Sequence, residues 1–164
     1  MLEDDGKTIG YLTGVSAFNK LGLTTQVSNT IQIGTNIDRK PGRRGKYNIR
    51  FIRQKNTITK DIIYFQQTLD SIRFIKRIPD SDVTSSYIRM RTLIKDLSEN
   101  EKGMIAKLAL KYNPGTRALT GSILDQVAES DITDQLLGSL NPVSVFSYNI
   151  IEETSLDKEK WRIA

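Results

Sequence analysis

The residues with the clearest chemical potential in this sequence are cations concentrated in one short segment. Residues 39–60 hold nine cations and no acid, in a chain of 164 residues whose 24 cations and 19 acids give a net charge of +5. Clustered Arg and Lys side chains neutralise nucleic-acid phosphates or pair with acids on a protein partner. The segment predicts a partner- or nucleic-acid-binding surface, formed by Arg39, Lys40, Arg43, Arg44, Lys46, Arg50, Arg53 and Lys55.

The glycines of this segment are not spaced for nucleotide binding. Two residues separate Gly42 from Gly45, and Tyr47 follows Lys46. The phosphate-binding loop of nucleotide-binding proteins has four residues between its glycines and a Ser or Thr after its lysine. We therefore expect no nucleotide cofactor. Three interpretations of the basic segment stay open: it contacts a nucleic acid, it contacts an acidic protein surface, or it is a solvated hairpin without a partner.

The composition also narrows the catalytic chemistry that is open to the chain. There is no Cys and no His, which excludes thiol nucleophiles, disulfides, zinc sites of the Cys/His kind and the usual general base at neutral pH. Paired carboxylates such as Asp80 and Asp82, or Glu152 and Glu153, lack the apolar context that raises a carboxyl pKa for acid–base work. The sequence predicts a protein that is not an enzyme and uses no metal or cofactor.

The stretch before the basic segment changes its hydrophobic period at a Gly-Leu-Thr-Thr corner. Apolar residues recur at helical spacing over residues 15–21, with Thr13 as the expected N-cap. Gly22 is expected to end this helix with a positive φ, a conformation that glycine adopts without steric penalty. Leu23 and Thr24 then lead into an extended segment.

Two strands are predicted on either side of the basic loop, at residues 30–35 and 47–53. In the second strand apolar and polar residues alternate, which predicts that Tyr47, Ile49 and Phe51 lie on the buried side of a sheet. The breakers between the two strands predict an antiparallel hairpin with a long basic tip.

Beyond residue 59 the period is helical, with helices predicted to begin near residues 62, 83, 98, 114 and 132. Ser98 and Glu101 fit a capping box, and Pro114 suits the first turn of the fourth helix. Arg117 opposes the dipole at that helix start, so we expect it to have an acidic partner. Tyr112 and Trp161 are expected to close the core.

Segment 143–151 has apolar residues on both of its alternating sides and predicts a last strand buried between the sheet and the helices. The fold class is therefore α+β: a small N-terminal mixed or antiparallel sheet with one helix, then a bundle of four to five helices and the late strand. We expect a single domain over residues 1–164, β-rich over 1–58 and mainly helical over 59–164.

Several of these motifs, in this order, resemble the AbiEi-like antitoxins of type IV toxin–antitoxin systems, in their compact bacterial branch. The likeness covers nearly the whole chain, and its structural residues include Gly14, Gly22, Leu23, Thr24, Pro114 and Arg117. The matching motifs are Tyr11-Leu-Thr-Gly14, Leu21-Gly-Leu-Thr-Thr-Gln26-Val27, Ile31-Gln-Ile-Gly-Thr-Asn36, Ala109-Leu-Lys-Tyr-Asn-Pro114, Arg117-Ala-Leu-Thr-Gly121 and Asp157-Lys-Glu-Lys-Trp161.

The resemblance implies a non-catalytic antitoxin that counteracts a nucleotidyltransferase-like toxin in an abortive-infection system. Members of this family commonly carry an N-terminal winged helix-turn-helix that binds operator DNA, whereas only about seven residues precede the first predicted strand here. Transcriptional autoregulation is therefore expected only if such a module lies upstream. The alternative function is a nucleic-acid-binding module that acts through the basic segment at residues 39–55.

The N-terminus and the hydropathy pattern predict where the protein resides. MLEDDGK is acidic and polar, unlike the basic and then apolar start of a secretory signal. No uninterrupted apolar run approaches the length needed to cross a bilayer. We expect a cytoplasmic protein without a membrane partner.

Overall fold

The computed structural model describes residues 2–129, 131–150 and 154–164. A curled five-stranded sheet at the N-terminus is followed by helices, which confirms the predicted α+β class. The strands are β1 (Leu2–Asp4), β2 (Lys7–Thr13), β3 (Thr30–Thr35), β4 (Gly42–Arg44) and β5 (Tyr47–Arg53). Their order across the sheet is β1-β2-β3-β5-β4.

The pairing of the strands differs from the predicted hairpin. Strands β3 and β5 pair in parallel, with Gln32 opposite Arg50, so they cannot form the two arms of one antiparallel hairpin. The antiparallel partner of β5 is β4, which lies within the predicted loop. Gly45, with φ 59°, and Lys46 form its two-residue turn, because a tight hairpin turn requires a positive φ that glycine adopts readily. The basic hairpin is therefore short and lies at the edge of the sheet.

The predicted helix and its glycine corner are present as α1 (Val15–Lys20). Gly22 has φ 70°, its N–H donates to Asn19 O, and the N–H of Leu23 donates to Phe18 O, which is the hydrogen-bond pattern of a Schellman C-cap. The predicted N-cap is wrong. Gly14 occupies that position with φ 63°, while the hydroxyl of Thr13 is directed into the protein interior.

The helical part comprises α2 (Ile63–Arg73), α3 (Val83–Lys95), α4 (Glu99–Ala109), α5 (Pro114–Val127), α6 (Asp134–Gly138) and α7 (Lys158–Trp161), with short 3₁₀ turns at Lys60–Ile62 and Ile75–Arg77. Ser98 and Glu101 form the predicted capping box of α4. The Asn113 side chain accepts a hydrogen bond from Thr116 N, and Pro114 occupies the first turn of α5.

The core lies among the helices, with α5 packed against α2, α3, α4 and α6. Tyr112 and Trp161 are buried in it, as predicted. A Cβ on Gly121 would lie 2.1 Å from the indole ring of Trp161, so the glycine lets α5 approach that ring closely. Trp161 Nε1 also donates to the Asp125 carboxylate over 3.0 Å.

The predicted last strand is not formed over residues 143–150, and residue 151 lies outside the described residues. Phe146 makes a single parallel bridge to Ile163 near the C-terminus. Val143 and Val145 are 85% and 66% exposed, so their side of the segment is not buried between sheet and helices. The chain end is the partner of this segment instead, since the backbone of Phe146 bonds to Arg162 O and to Ala164 N.

Candidate binding surface

The basic hairpin β4–β5 forms the part of the sheet that extends beyond the helices. Helix α1 packs against β2 and β3, and helix α2 packs against β2. Residues 37–48 are all exposed. The eight predicted surface cations are all exposed as well, namely Arg39, Lys40, Arg43, Arg44, Lys46, Arg50, Arg53 and Lys55.

Most of these cations form no salt bridge with the carboxylates that the structure describes. Within the part of the chain that the structure describes, Arg53 is the one cation of residues 39–60 that forms a salt bridge, at 3.3 Å from Asp38, and both side chains are more than half exposed. Arg43 Nε donates to the carbonyl of Gly45, and the Lys46 ammonium lies 5.3 Å from the Tyr47 ring centroid. The hairpin therefore presents a concentrated positive field to solvent.

The strand register assigns these cations to two different faces of the sheet. Tyr11 points toward α2, where its hydroxyl donates to Asp70, and we call this side the inner face. Gly34 is opposite Tyr11 and Ile52 is opposite Gly34, so alternation along β5 places Asn48 and Arg50 on the inner face too.

The same register divides the two arginines of β4. Arg43 pairs with Asn48 and shares the inner face, whereas Arg44 pairs with Tyr47 on the opposite side, which we call the outer face. Arg53, three positions along the strand from Arg50, also lies on the outer face. The hairpin is basic on both of its faces.

The apolar residues of β5 alternate as predicted, but the prediction that they are buried is wrong. Tyr47, Ile49 and Phe51 lie on the outer face, away from α1 and α2. Tyr47 is 38% exposed, and the other two are half-buried. Hydrophobic alternation defines two faces of a strand, but it does not determine which face the helices cover.

A mixed polar and apolar cleft lies between the sheet and the helices on the inner face. Thr30 and Gln32 of β3 line this cleft of about 110 Å³ together with Arg77, which follows α2, and with the apolar side chains of Val15, Phe18 and Phe74. Gln32 is the register partner of Arg50. Polar and basic side chains therefore extend from Arg77 across β3 to the hairpin.

The remaining predicted structural residues lie apart from this surface. Thr24 is half-buried beside the glycine corner, and Pro114 and Arg117 belong to α5. None of the described carboxylates forms a salt bridge with Arg117, and its Nε is buried without a hydrogen-bond partner among the described residues. Glu152 and Glu153 lie outside the described residues, so the acidic partner expected for Arg117 stays a prediction.

Sequence reasoning missed a buried polar cluster between the sheet and the helices. Asp70 of α2 is 1% exposed and accepts hydrogen bonds from three hydroxyls: Tyr11 at 2.6 Å, Thr13 at 2.8 Å and Tyr112 at 2.7 Å. Gln54 Nε2 donates to both tyrosine hydroxyls, at 2.8 and 2.9 Å. The cluster joins β2, the end of β5, α2 and the end of α4.

Burial governs the ionisation of this cluster. Desolvation raises the pKa of Asp70, against the lowering effect of its three hydroxyl donors. Burial and the adjacent carboxyl of Asp70 raise the pKa values of Tyr11 and Tyr112. Because Asp70 is buried and its hydrogen bonds are satisfied, the arrangement is suited to holding sheet and helices together. One sequence signal could have revealed this cluster. Asp70 is an acid next to Leu69 and near Ile72, in a helical stripe that is otherwise apolar.

Among the described residues, no group of three or more acidic side chains is placed to hold a metal ion. None of the described helices is long and apolar enough to cross a membrane.

Comparison with known proteins gives no match for this chain among family models, curated proteins or solved structures. These comparisons neither support nor contradict the predicted resemblance to AbiEi-like antitoxins, which stays a prediction.

Proposed function

We propose that this chain is a non-catalytic, antitoxin-like domain that binds and counteracts a nucleotidyltransferase-like toxin, with the basic hairpin as its contact surface. The observation that supports this most is the exposed charge of the hairpin. Structural cations are usually paired or dispersed, whereas here one salt bridge serves the whole segment within the described residues. An acidic partner surface would meet a preformed, complementary field. The identity of the partner follows from the sequence resemblance.

The toxin hypothesis is tested with this protein and a candidate nucleotidyltransferase-like toxin. The protein should bind that toxin and relieve its growth inhibition. The double variant Arg43→Glu/Arg50→Glu, which reverses the inner-face charges of the hairpin, should weaken binding at least about tenfold. Lys107→Glu/Lys111→Glu is the matched control, because both lysines are exposed on or after α4, away from the hairpin. An unmutated protein that neither binds nor neutralises the toxin would overturn the proposal.

A second candidate, binding of nucleic acid, is favoured by the presence of cations on both faces of the hairpin. The major groove of B-DNA admits a two-stranded β-ribbon between two walls of phosphate. A ribbon with Arg43 and Arg50 on one face and Arg44 and Arg53 on the other meets both walls with positive charge. This candidate explains the two-sided charge more directly than a flat protein contact does.

Fluorescence anisotropy with labelled duplex and single-stranded oligonucleotides distinguishes this candidate from the toxin proposal. The affinity should fall steeply as salt rises, because each neutralised phosphate releases a counterion. Reversing Arg43 and Arg44 to Glu should abolish binding, while Lys107→Glu/Lys111→Glu should retain most of it. No detectable binding by the unmutated chain at low salt would exclude this candidate and leave the toxin proposal intact.

A further inference from the structure

The outer face of the sheet is apolar along its middle strands. It carries Leu12 from β2, Ile31 and Ile33 from β3, and Ile49 and Phe51 from β5. Leu12 is 39% exposed, and Ile31, Ile49 and Phe51 are half-buried. Helices α1 and α2 lie on the inner face, so these side chains form a contiguous apolar patch in which all but Ile33 are partly open to water. Patches of this kind mark interaction sites on soluble proteins.

The centre of this patch is closely packed. Ile33 is 7% exposed, although it belongs to the outer face. The Cγ2 atom of Ile33 and the Cδ1 atom of Leu2 both approach the position that a Cβ on Gly10 would occupy, at 3.1 and 3.3 Å. Leu2 therefore lies over Gly10 beside Ile33 and extends the patch toward the β1 edge. The patch spans the sheet from β1 to β5.

Charge changes sign across the width of the same sheet. Strand β1 and its turn, at one edge, carry Glu3, Asp4 and Asp5, all exposed, against Lys7. The hairpin at the other edge carries Arg43, Arg44 and Lys46, and none of the three forms a salt bridge with a described carboxylate. The apolar patch thus lies between an acidic edge and a basic edge.

We propose that two copies of this chain associate through their outer faces, with β1 of each copy over β4 of the other. A two-fold axis that runs along β3, parallel to the strands, exchanges the two edges and brings each acidic edge onto a basic one. A two-fold axis that also lies in the interface plane but runs across the strands would instead place β1 over β1 and β4 over β4, and so bring like charges together. The charge polarity of the sheet is therefore self-complementary for one closed, symmetric dimer. This inference goes beyond the proposed function and does not depend on it.

The size of the face predicts a weak dimer. Strands of about six residues, at about 3.3 Å each, and five strands about 4.8 Å apart give a face of about 400 Å² per copy. A standard interface buries about 800 Å² per partner. We expect a monomer–dimer equilibrium with a dissociation constant in the micromolar range, on the order of 10–100 µM.

Sedimentation velocity over a concentration series tests whether the apolar patch mediates self-association. The unmutated chain should shift from monomer to dimer as its concentration rises toward about 500 µM. Ile49→Lys should raise the dissociation constant at least about tenfold, since it places a charge in the dry centre of the interface. Asn48→Lys is the matched control, because it adds the same charge one position away on the inner face and should change the constant less than about twofold. Far-ultraviolet circular dichroism checks that both variants fold.

A charge exchange tests the orientation. Glu3→Lys/Asp4→Lys makes both edges basic. Arg43→Glu/Arg44→Glu/Lys46→Glu makes both edges acidic, because it changes the net charge of residues 42–53 from +5 to −1. Each variant alone should therefore dimerise at least about tenfold more weakly. An equimolar mixture of the two should associate again, because every opposed pair of edges is then of opposite sign. An unmutated chain that stays monomeric across the series overturns the proposal. So does association that Ile49→Lys leaves unchanged, or a mixture that fails to recover it.

Discussion

The buried Asp70 cluster and the basic hairpin differ in whether their polar side chains find partners within the chain. Asp70 is 1% exposed and accepts from three hydroxyls, so its hydrogen-bonding capacity is used within the chain. The arginines of the hairpin are exposed, and one of them has a carboxylate partner among the described residues. The difference indicates that the cluster stabilises the fold, while the exposed arginine side chains of the hairpin contribute little to folding and present their charge to solvent.

The largest effect expected from this contrast is the loss of the buried acceptor. Asp70→Ala should lower the free energy of unfolding by about 3 kcal/mol, because three buried hydroxyls lose their common acceptor. Asp61→Ala, which removes an exposed carboxylate just before α2, should change it by less than about 0.5 kcal/mol. Urea unfolding measures both variants. A cost below about 1 kcal/mol for Asp70→Ala would mean that the cluster does not hold the sheet to the helices.

Two glycines of the sheet, one beside the Asp70 cluster and one in the hairpin, allow the packing of the two regions to be compared. A Cβ on Gly34 would lie 2.5 Å from Cζ of the Tyr11 ring, whereas a Cβ on Gly42 of the hairpin would meet nothing within 4 Å. Gly34→Ala should therefore displace Tyr11 from Asp70 and destabilise the protein by about 2 kcal/mol. Gly42→Ala should be nearly neutral. Thermal melts of the two variants would contradict this account if their midpoints were equal.

The ionisation of Asp70 predicts that the cluster, unlike the hairpin, makes the free energy of unfolding depend on pH. Burial raises the folded-state pKa of Asp70, so the folded chain holds this proton more tightly than the unfolded chain does. The contribution of Asp70 to stability is then present at low pH and is lost as pH rises from about 4 through the raised pKa, by up to about 1.4 kcal/mol per pH unit.

Asp70→Asn removes this titration while keeping the shape of the side chain. The difference in free energy of unfolding between wild type and Asp70→Asn should therefore shrink as pH rises through that window. Urea unfolding at several pH values measures this difference. A difference that grows with pH would mean that the three hydroxyl donors outweigh desolvation and lower the pKa. Arg43→Gln, in the hairpin, should leave the pH dependence unchanged.

Local signals were readable from the sequence, and long-range ones were not. The capping box at Ser98 and the glycine cap at Gly22 depend on residues within one or two turns, and both are present. The parallel pairing of β3 with β5 depends on where β4 inserts, which periodicity does not encode. The Asp70 cluster gathers side chains 42 to 59 positions away in the chain. Tertiary packing likewise determines which face of β5 the helices cover. The sequence therefore predicted the exposed cations of the hairpin but not the exposed apolar face of β5.

The smallest expected effect separates backbone conformation from side-chain contact at the corner that joins α1 to the extended segment before β3. Gly22 is exposed and has φ 70°. A Cβ there would lie 3.1 Å from Arg89 Nη2, and Arg89 Nε donates to Leu21 O. Val and Asn both carry this Cβ, so the difference between the two substitutions should come from the left-handed backbone itself. Gly22→Val should be less stable than Gly22→Asn by about 1 kcal/mol, because a β-branched side chain is strongly disfavoured at positive φ while Asn tolerates it.

Urea melts of both variants measure the difference, and toxin or nucleic-acid binding by the folded fraction should be the same for the two. Equal stabilities would show that the cap is not maintained by its φ, and that the hydrogen bonds from Gly22 and Leu23 to the end of α1 survive a change of backbone conformation.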